Sequence, residues 1–302
     1  MSKPKFSIEP FIAQPGETFD LSRFDPGWRD DAELEKFGVE KLHEDAKKIL
    51  KKRRRELAEA QERLYADNRY AALFIFQGRD AAGKDSTIKH VMRGVNPQGC
   101  QVFSFKAPSK EELDHNFLWR CWKAVPERGR IGIFNRSHYE EVLVVRVHPE
   151  YLAGQNIPAP LIGENIWTER FEDINAFERH LARNGTIVIK FFLNVSRSEQ
   201  KRRFMDRLNE EDKNWKFSRA DLAERALWDK YTHAFSDMLR HTSTEWAPWY
   251  VIPADDKDVM RAIVSRIIVD RLDALDLDYP ELPPEEQARL DEARDALMAE
   301  ED

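Results

Sequence analysis

Residues 71–87 read AALFIFQGRDAAGKDST, and the fold follows from how this stretch divides. Ala71–Gln77 is a short, continuous apolar run of the kind found in a strand buried on both faces. Gly78-Arg79-Asp80-Ala81-Ala82-Gly83-Lys84 then fits the pattern G-x-x-x-x-G-K, and helix-forming sequence begins at Lys84. A glycine-bounded turn between a buried strand and a helix is the setting that a phosphate-binding loop requires. Gly78 and Gly83 permit a tight turn and close backbone approach. Ala81 and Ala82 keep bulk out of the phosphate's way. Successive N–H groups then converge on one anion at the positive end of a helix, and Lys84 adds a full charge. The pattern departs from its common form at one position. Asp85 stands where Ser or Thr ordinarily ligates magnesium, with Ser86 and Thr87 behind it. Asp80, inside the loop, becomes the expected ligand for magnesium, with manganese as its substitute. Arg79, Asp85 and Ser86 join the expected phosphate- and nucleotide-binding set.

Working outward, Gln101–Phe105, Arg130–Phe134, Thr186–Val195 and Trp249–Ile252 read as four more strands, each separated from the next by helical sequence. Ser109 with Glu112 forms a capping box expected to open a helix through Trp122. Ser196 with Glu199 and Ser218 with Asp221 open two more. The alternation predicts an α/β fold, a parallel five-stranded sheet sandwiched by helices. Residues 1–31 lack a period and read as an irregular arm. Residues 32–66 read as one long helix, whose run Lys47, Lys48, Lys51, Lys52, Arg53, Arg54 and Arg55 is either a solvated face or a rail for a polyanion.

Ligands of open α/β sheets bind at the carboxyl ends of strands, so the segment after the third strand should face the loop. There Arg136 is placed to clamp a phosphate bidentately. Asn135 can orient a group but cannot act as a base. Glu140 and Glu141 either polarise the surroundings of an acceptor phosphate, hold metal-bound water, or merely favour a helix N-terminus. Arg202, Arg203 and Arg207 follow the fourth strand on a helix, with Arg203 and Arg207 on one face. Asn209–Phe217 reads as a lid latched by Trp215 and Phe217, and Lys89, Arg93 and Lys106 as holders of an extended anion. Cationic side chains and a water-excluding lid are what phosphoryl transfer needs.

The chain has 302 residues, 41% hydrophobic and 34% charged, which suits a soluble globular protein with a sizeable core. No apolar run is long enough for a membrane span, and the N-terminus carries no apolar leader. Cys100 and Cys121 are the two cysteines and form no metal-ligand spacing, so a reducing cytoplasmic setting is expected. The net charge of −7 is held entirely by residues 281–302, which carry nine Asp or Glu against two Arg, and the rest is formally neutral. That balance argues against nucleic-acid binding and makes local clusters, not net charge, the source of any anion-attracting field.

Three segments carry a family resemblance: GRDAAGKDSTIKH (78–90), FNRSHYEEVLVVRVHPE (134–150) and NWKFSRADLAERALWDKY (214–231). Together they resemble the polyphosphate kinase 2 family over residues 41–270. The resemblance implies a thymidylate kinase-like P-loop core with a helical lid, and transfer of phosphoryl groups from inorganic polyphosphate to nucleotides. The chain reads in three parts: an N-terminal arm and basic helix (1–66), a P-loop kinase domain (67–279) with a lid around 209–220, and an acidic tail (280–302) that falls outside the resemblance. The resemblance implies that Asp80 and Lys84 serve magnesium and phosphate, that Asn135 and Arg136 form a second phosphate-binding motif, and that Arg202, Arg203 and Arg207 serve the lid. The Asn135 variant with Glu140-Glu141 is most similar to members that accept both AMP and ADP, with GMP and GDP as further acceptors. The expected catalytic set is Asp80, Lys84, Asn135, Arg136, Glu141 and Arg203, with Glu141 as a second metal contact. A homo-oligomer, dimer or tetramer, is expected. The rival readings are an ATP-dependent nucleoside monophosphate kinase and a regulator that binds polyphosphate without turning it over.

Overall fold

The computed structural model describes residues 8–15, 19–28 and 39–300. Its centre is a six-stranded sheet: β1 (Ile12–Ala13), β2 (Ala71–Gly78), β3 (Cys100–Ser104), β4 (Ile131–Asn135), β5 (Thr186–Asn194) and β6 (Trp249–Pro253), in the order β1-β6-β5-β2-β4-β3. Strands β2 to β6 are parallel, as the alternation with helices requires. β1 adds a sixth, antiparallel strand through Ile12↔Tyr250 and Ala13↔Trp249. The arm is therefore not wholly irregular; two residues are too few to show a period, but they cover the β6 edge.

Every residue of β2 from Ala71 to Gln77 is buried, because helices cover both faces. Ala72, Phe74 and Phe76 point into a core formed with α1 (Val39–Asp67), α2 (Lys84–Val91) and α7 (Lys257–Asp273). Leu73 and Ile75 point into the opposite core, formed with α3 (Ile166–Arg183) and α6 (Trp228–Thr242). This even–odd split is the period-2 geometry of a strand. The start of the expected long helix, residues 32–38, lies outside the described residues. In α1 the basic run is largely paired: Lys47 with Asp258, Lys52 and Arg53 with Glu56, Arg55 with Glu59.

Local differences have local causes. The helix expected over 109–122 is two single turns, Lys110–Leu113 and Trp119–Trp122. Asn116 breaks it by accepting the Leu118 amide at 3.1 Å, a turn that competes with helix continuation. Ser196 caps α4 (Arg197–Asn209), but only half the box forms, because the Glu199 carboxylate is taken by Arg202 and Arg203. The box at Ser218 is complete and opens α5 (Arg219–Ala226). In the segment expected to form a lid, the Trp215 side chain is 79% exposed, and Phe217 packs edge-on against Phe204 at 6.3 Å. The acidic tail forms α8 (Pro284–Met298), with no buried residue.

The register sets the site. Phe76 pairs with Asn135, and Gly78 with Leu193, so the strands end level with one another. The loop after β2 and the turn after β4 therefore lie side by side at one end of the sheet.

Candidate active site

Gly78 is obligatory by contact as well as conformation: a Cβ there would sit 2.9 Å from the Leu193 carbonyl oxygen of β5. Gly83 opens α2 with φ 104°, and Ala81 is also left-handed at φ 60°. Such backbone persists only where its surroundings over-determine it. Arg203 supplies much of that constraint. Its guanidinium donates to the Ala81 and Ala82 carbonyls at 2.9 Å each, to Ala254 at 2.5 Å and Asp255 at 3.2 Å beyond β6, and to Glu199 at 2.7 Å. A carbonyl tied in this way cannot turn toward an incoming phosphate, so the loop offers an anion its N–H side. Gln200 adds a bond to the Asp80 carbonyl at 2.9 Å.

Lys84 is buried and donates to the Gly78 carbonyl at 2.5 Å and the Arg79 carbonyl at 3.2 Å. Burial, with Arg136 nearby, lowers its pKa to about 8. Across from it, Arg136 stands at φ 62° and donates to Asp80 Oδ1 at 2.9 Å. Burial opposes its charge, but Glu140, Asp80 and Asp85 outweigh that and raise its pKa. Asn135 donates to Asp85 Oδ1 and, at 3.5 Å, to Ser104 Oγ. Asp85 thus fills the position after Lys84 by tying the start of α2 to the end of β4. Burial raises the pKa of Glu140 despite Arg136 and Lys84. With its amide oriented to satisfy both ends, Gln77 donates to Glu140 Oε1 at 3.0 Å and accepts from Ser137.

Two cavities meet over the loop. A groove of about 870 Å³ is lined by Lys84, Lys89, Lys106, Arg207, Lys213 and Lys257. A smaller cavity of about 210 Å³ is lined by Leu143, Val144, Glu224, Trp228, Tyr231 and Phe235. Asp80, Arg136 and Asp221 line both.

The structure gathers Gly78, Asp80, Ala81, Gly83, Lys84, Asp85, Asn135, Arg136 and Glu140 at this junction, with Ser86, Lys89, Lys106, Arg203 and Arg207 in the groove wall. It does not gather the remainder. Glu141 points away, held by Arg170 and Gln155 at 2.7 Å each. Its neighbour faces the loop instead because His138–Val142 is a 3-10 turn, in which successive side chains diverge by about 120°. Arg202 is exposed and paired with Glu199 and Asp206. Arg79, by contrast, does line the smaller cavity; its guanidinium lies over the Trp228 ring at 4.0 Å and donates to Thr232 Oγ1 at 2.6 Å, pinning the loop to α6, and burial lowers its pKa to about 10. Ala82 is wholly buried, and Arg93 is exposed outside both cavities. Asp221, expected only as a helix cap, also lines the site, as do Glu224, Trp228 and Tyr231, which were not expected there although their i, i+3, i+7, i+10 spacing across α5 and α6 was a signal.

For a divalent cation, the hard oxygen donors at the junction are the carboxylates of Asp80, Asp85 and Glu140. Among the described residues no three Asp, Glu, His or Cys side chains form a cation cage. A magnesium ion held here would take its remaining ligands from phosphate oxygens and water, which is its ordinary habit. Nor is any described helix long and apolar enough to cross a membrane.

Comparison with known proteins gives concordant findings. The family model described as Polyphosphate kinase 2 (PPK2) matches residues 40–280. The ADP-polyphosphate phosphotransferase of Rhodopseudomonas palustris is 46% identical over 295 residues, covering 97% of this chain and 99% of its own. The AMP/ADP-polyphosphate phosphotransferase of Meiothermus ruber is 42% identical over 274 residues, covering 91% and 96%. Among solved structures, Polyphosphate Kinase 2 from Arthrobacter aurescens TC1 has a similar fold, with a TM-score of 0.79 at 37% identity, covering 93% of this chain and 98% of that one.

Proposed function

The chain belongs to the polyphosphate kinase 2 family, and from that premise we propose that it transfers the terminal phosphoryl group of inorganic polyphosphate to ADP, forming ATP, and to AMP, forming ADP. The observation that carries the reading is the junction of two unlike cavities at Asp80, Arg136 and Asp221. A transfer between two phosphate chains needs two anion ends facing one another. The groove of lysines and arginines suits a chain that is charge along its whole length. The cavity with Trp228, Tyr231 and Phe235 suits a ligand with an aromatic base and a sugar, since rings stack and Glu224 and Asp221 accept hydroxyl hydrogen bonds.

In this reading a nucleotide phosphate oxygen attacks the terminal phosphorus of polyphosphate. A new P–O bond forms as the bond to the bridging oxygen breaks, and the shortened chain keeps the electron pair. The attacking oxygen is ionised at neutral pH, so no general base is required, and Asn135 is adequate where a carboxylate is not needed. Lys84, the loop N–H groups and Arg136 hold the moving group and neutralise its charge. Magnesium, held by Asp80 with Glu140 nearby, supplies further charge neutralisation when bound. Arg203 acts at one remove, by fixing the loop.

The test is direct. The protein is incubated with polyphosphate and AMP, or with polyphosphate and ADP, without ATP, and products are separated by chromatography. ADP and ATP from AMP, and ATP from ADP, support the reading. Product from ADP alone removes AMP as an acceptor. No product from polyphosphate, with turnover when ATP is the donor, sinks it.

A further inference from the structure

Beneath the turn that carries Arg136 and Glu140 lies an ion pair that the transfer chemistry does not touch. Glu178 of α3 and Lys190 of β5 are both 0% exposed and 2.5 Å apart. All three donors of the Lys190 ammonium are used: Glu178 Oε2, the Tyr139 hydroxyl at 2.8 Å and the Thr242 carbonyl at 2.7 Å. The Tyr139 hydroxyl donates in turn to Glu178 Oε1 at 2.7 Å, and His138 Nε2 stands 3.4 Å from the same oxygen. Tyr139 and Trp249 flank the ammonium with their rings.

A buried pair of this kind seldom stabilises a fold more than apolar side chains of the same volume would, so its presence wants another reason. The contacts supply one. Apart from the Thr242 carbonyl, every hydrogen bond leaving the pair ends on His138 or Tyr139, inside the 3-10 turn His138–Val142. Two residues before it stands Arg136, in left-handed backbone at φ 62°. One residue after Tyr139 stands Glu140, reached from the other side through Ser137 and Gln77. A bulky residue at positive φ and a half-buried carboxylate both need surroundings that fix them.

We propose that Glu178, Lys190 and Tyr139 are positioning residues: they fix the turn so that Arg136 and Glu140 meet the reacting phosphates in one geometry. This rests on the reading of Arg136 and Glu140 given above, so wild-type turnover of polyphosphate is measured first and tests that reading by itself. Two variants then test the inference. Glu178→Leu/Lys190→Met removes both charges at similar volume, and Tyr139→Phe removes one hydroxyl. Melting temperature, kcat and KM for polyphosphate and for ADP are measured for each. The double variant is expected to melt at or above the wild-type temperature, with kcat about a hundredfold lower, since misplacement by about 1 Å costs that much. Its two KM values should stay within about threefold, because the groove and the aromatic cavity are intact. Tyr139→Phe should lose part of kcat with the same split. Unchanged kcat in Tyr139→Phe, or in a folded double variant, overturns the proposal. So does a kcat loss that appears only in proportion to a lowered melting temperature.

Discussion

Replacing Arg203 with lysine separates two roles for one side chain. If its guanidinium braces the loop, the damage appears before any ligand binds. The structure gives the magnitude. Arg203 makes four bonds to backbone carbonyls, at 2.9, 2.9, 2.5 and 3.2 Å, and one to Glu199. A lysine keeps the charge but has three donors at one point, not a planar fork, so it cannot span the loop and the exit of β6 together. At least two buried carbonyls lose a charged donor. At about 1.5 kcal/mol or more for each such bond, Arg203→Lys costs roughly 3 kcal/mol. For a chain of 302 residues that is a fall of roughly 5 °C in melting temperature. The assay is thermal unfolding of the ligand-free protein followed by circular dichroism, with kcat measured well below the transition. Activity should fall as well, because a loop free to turn its carbonyls inward no longer presents N–H groups alone. A ligand-free melting temperature equal to wild type, with only KM for polyphosphate raised, would refute the argument. Arg203 would then be a phosphate ligand, as its place on an arginine-rich helix first suggested.

The other expectations concern the junction itself. Lys84→Ala should reduce kcat by at least about a hundredfold while the protein stays folded, since the cost of burying the charge offsets part of its bonds to the Gly78 and Arg79 carbonyls; a folded variant with near-normal turnover counts against the phosphate role. Because the pKa of Lys84 is lowered to about 8, the free protein loses this charge as pH rises through 8, so kcat/KM should fall on the alkaline side. Lys84→Arg should flatten that limb, and an unchanged limb in the variant would assign it to another group. Asp80→Asn should shift the magnesium titration of activity sharply upward, whereas Glu141→Gln, whose carboxylate faces Arg170, should leave it in place; equal shifts would contradict the different placement of the two acids. Trp228→Ala should raise KM for ADP, and Lys89→Ala with Lys257→Ala should raise KM for polyphosphate; the reverse pattern would exchange the two cavities' occupants.

What the sequence revealed depended on whether the signal was local. The loop was legible because Gly78, Gly83 and Lys84 act through their own backbone, next to a strand with no polar interruption. Arg136 was legible because strand ends carry ligands in this architecture. The choice between Glu140 and Glu141 was not, since it turns on a 3-10 rather than an α-helical turn, and both pitches tolerate the same residues. Among Arg202, Arg203 and Arg207, helical spacing showed which share a face but not what that face meets. What that face meets, the Ala81, Ala82, Ala254 and Asp255 carbonyls, is distant in sequence and supports bracing by Arg203. Arg79 has a second part that the sequence could not show: Trp228, roughly 150 residues away, lies beneath its guanidinium at the cavity wall. The sixth strand left no trace in the sequence, because β1 is two residues long and owes its form to its partner.

That short strand has a consequence for how the chain is made. Ile12 pairs with Tyr250, so this segment is synthesised well before the strand it docks on. At about 5–20 residues per second, the roughly 240 intervening residues take on the order of 10–50 s to synthesise. During that interval Ala13, buried in the finished protein, lacks its partner Trp249, whereas Phe11 can already meet Trp28. Closure of this sheet edge is thus a late event, and the β6 edge that β1 covers cannot be capped before β6 itself has been made.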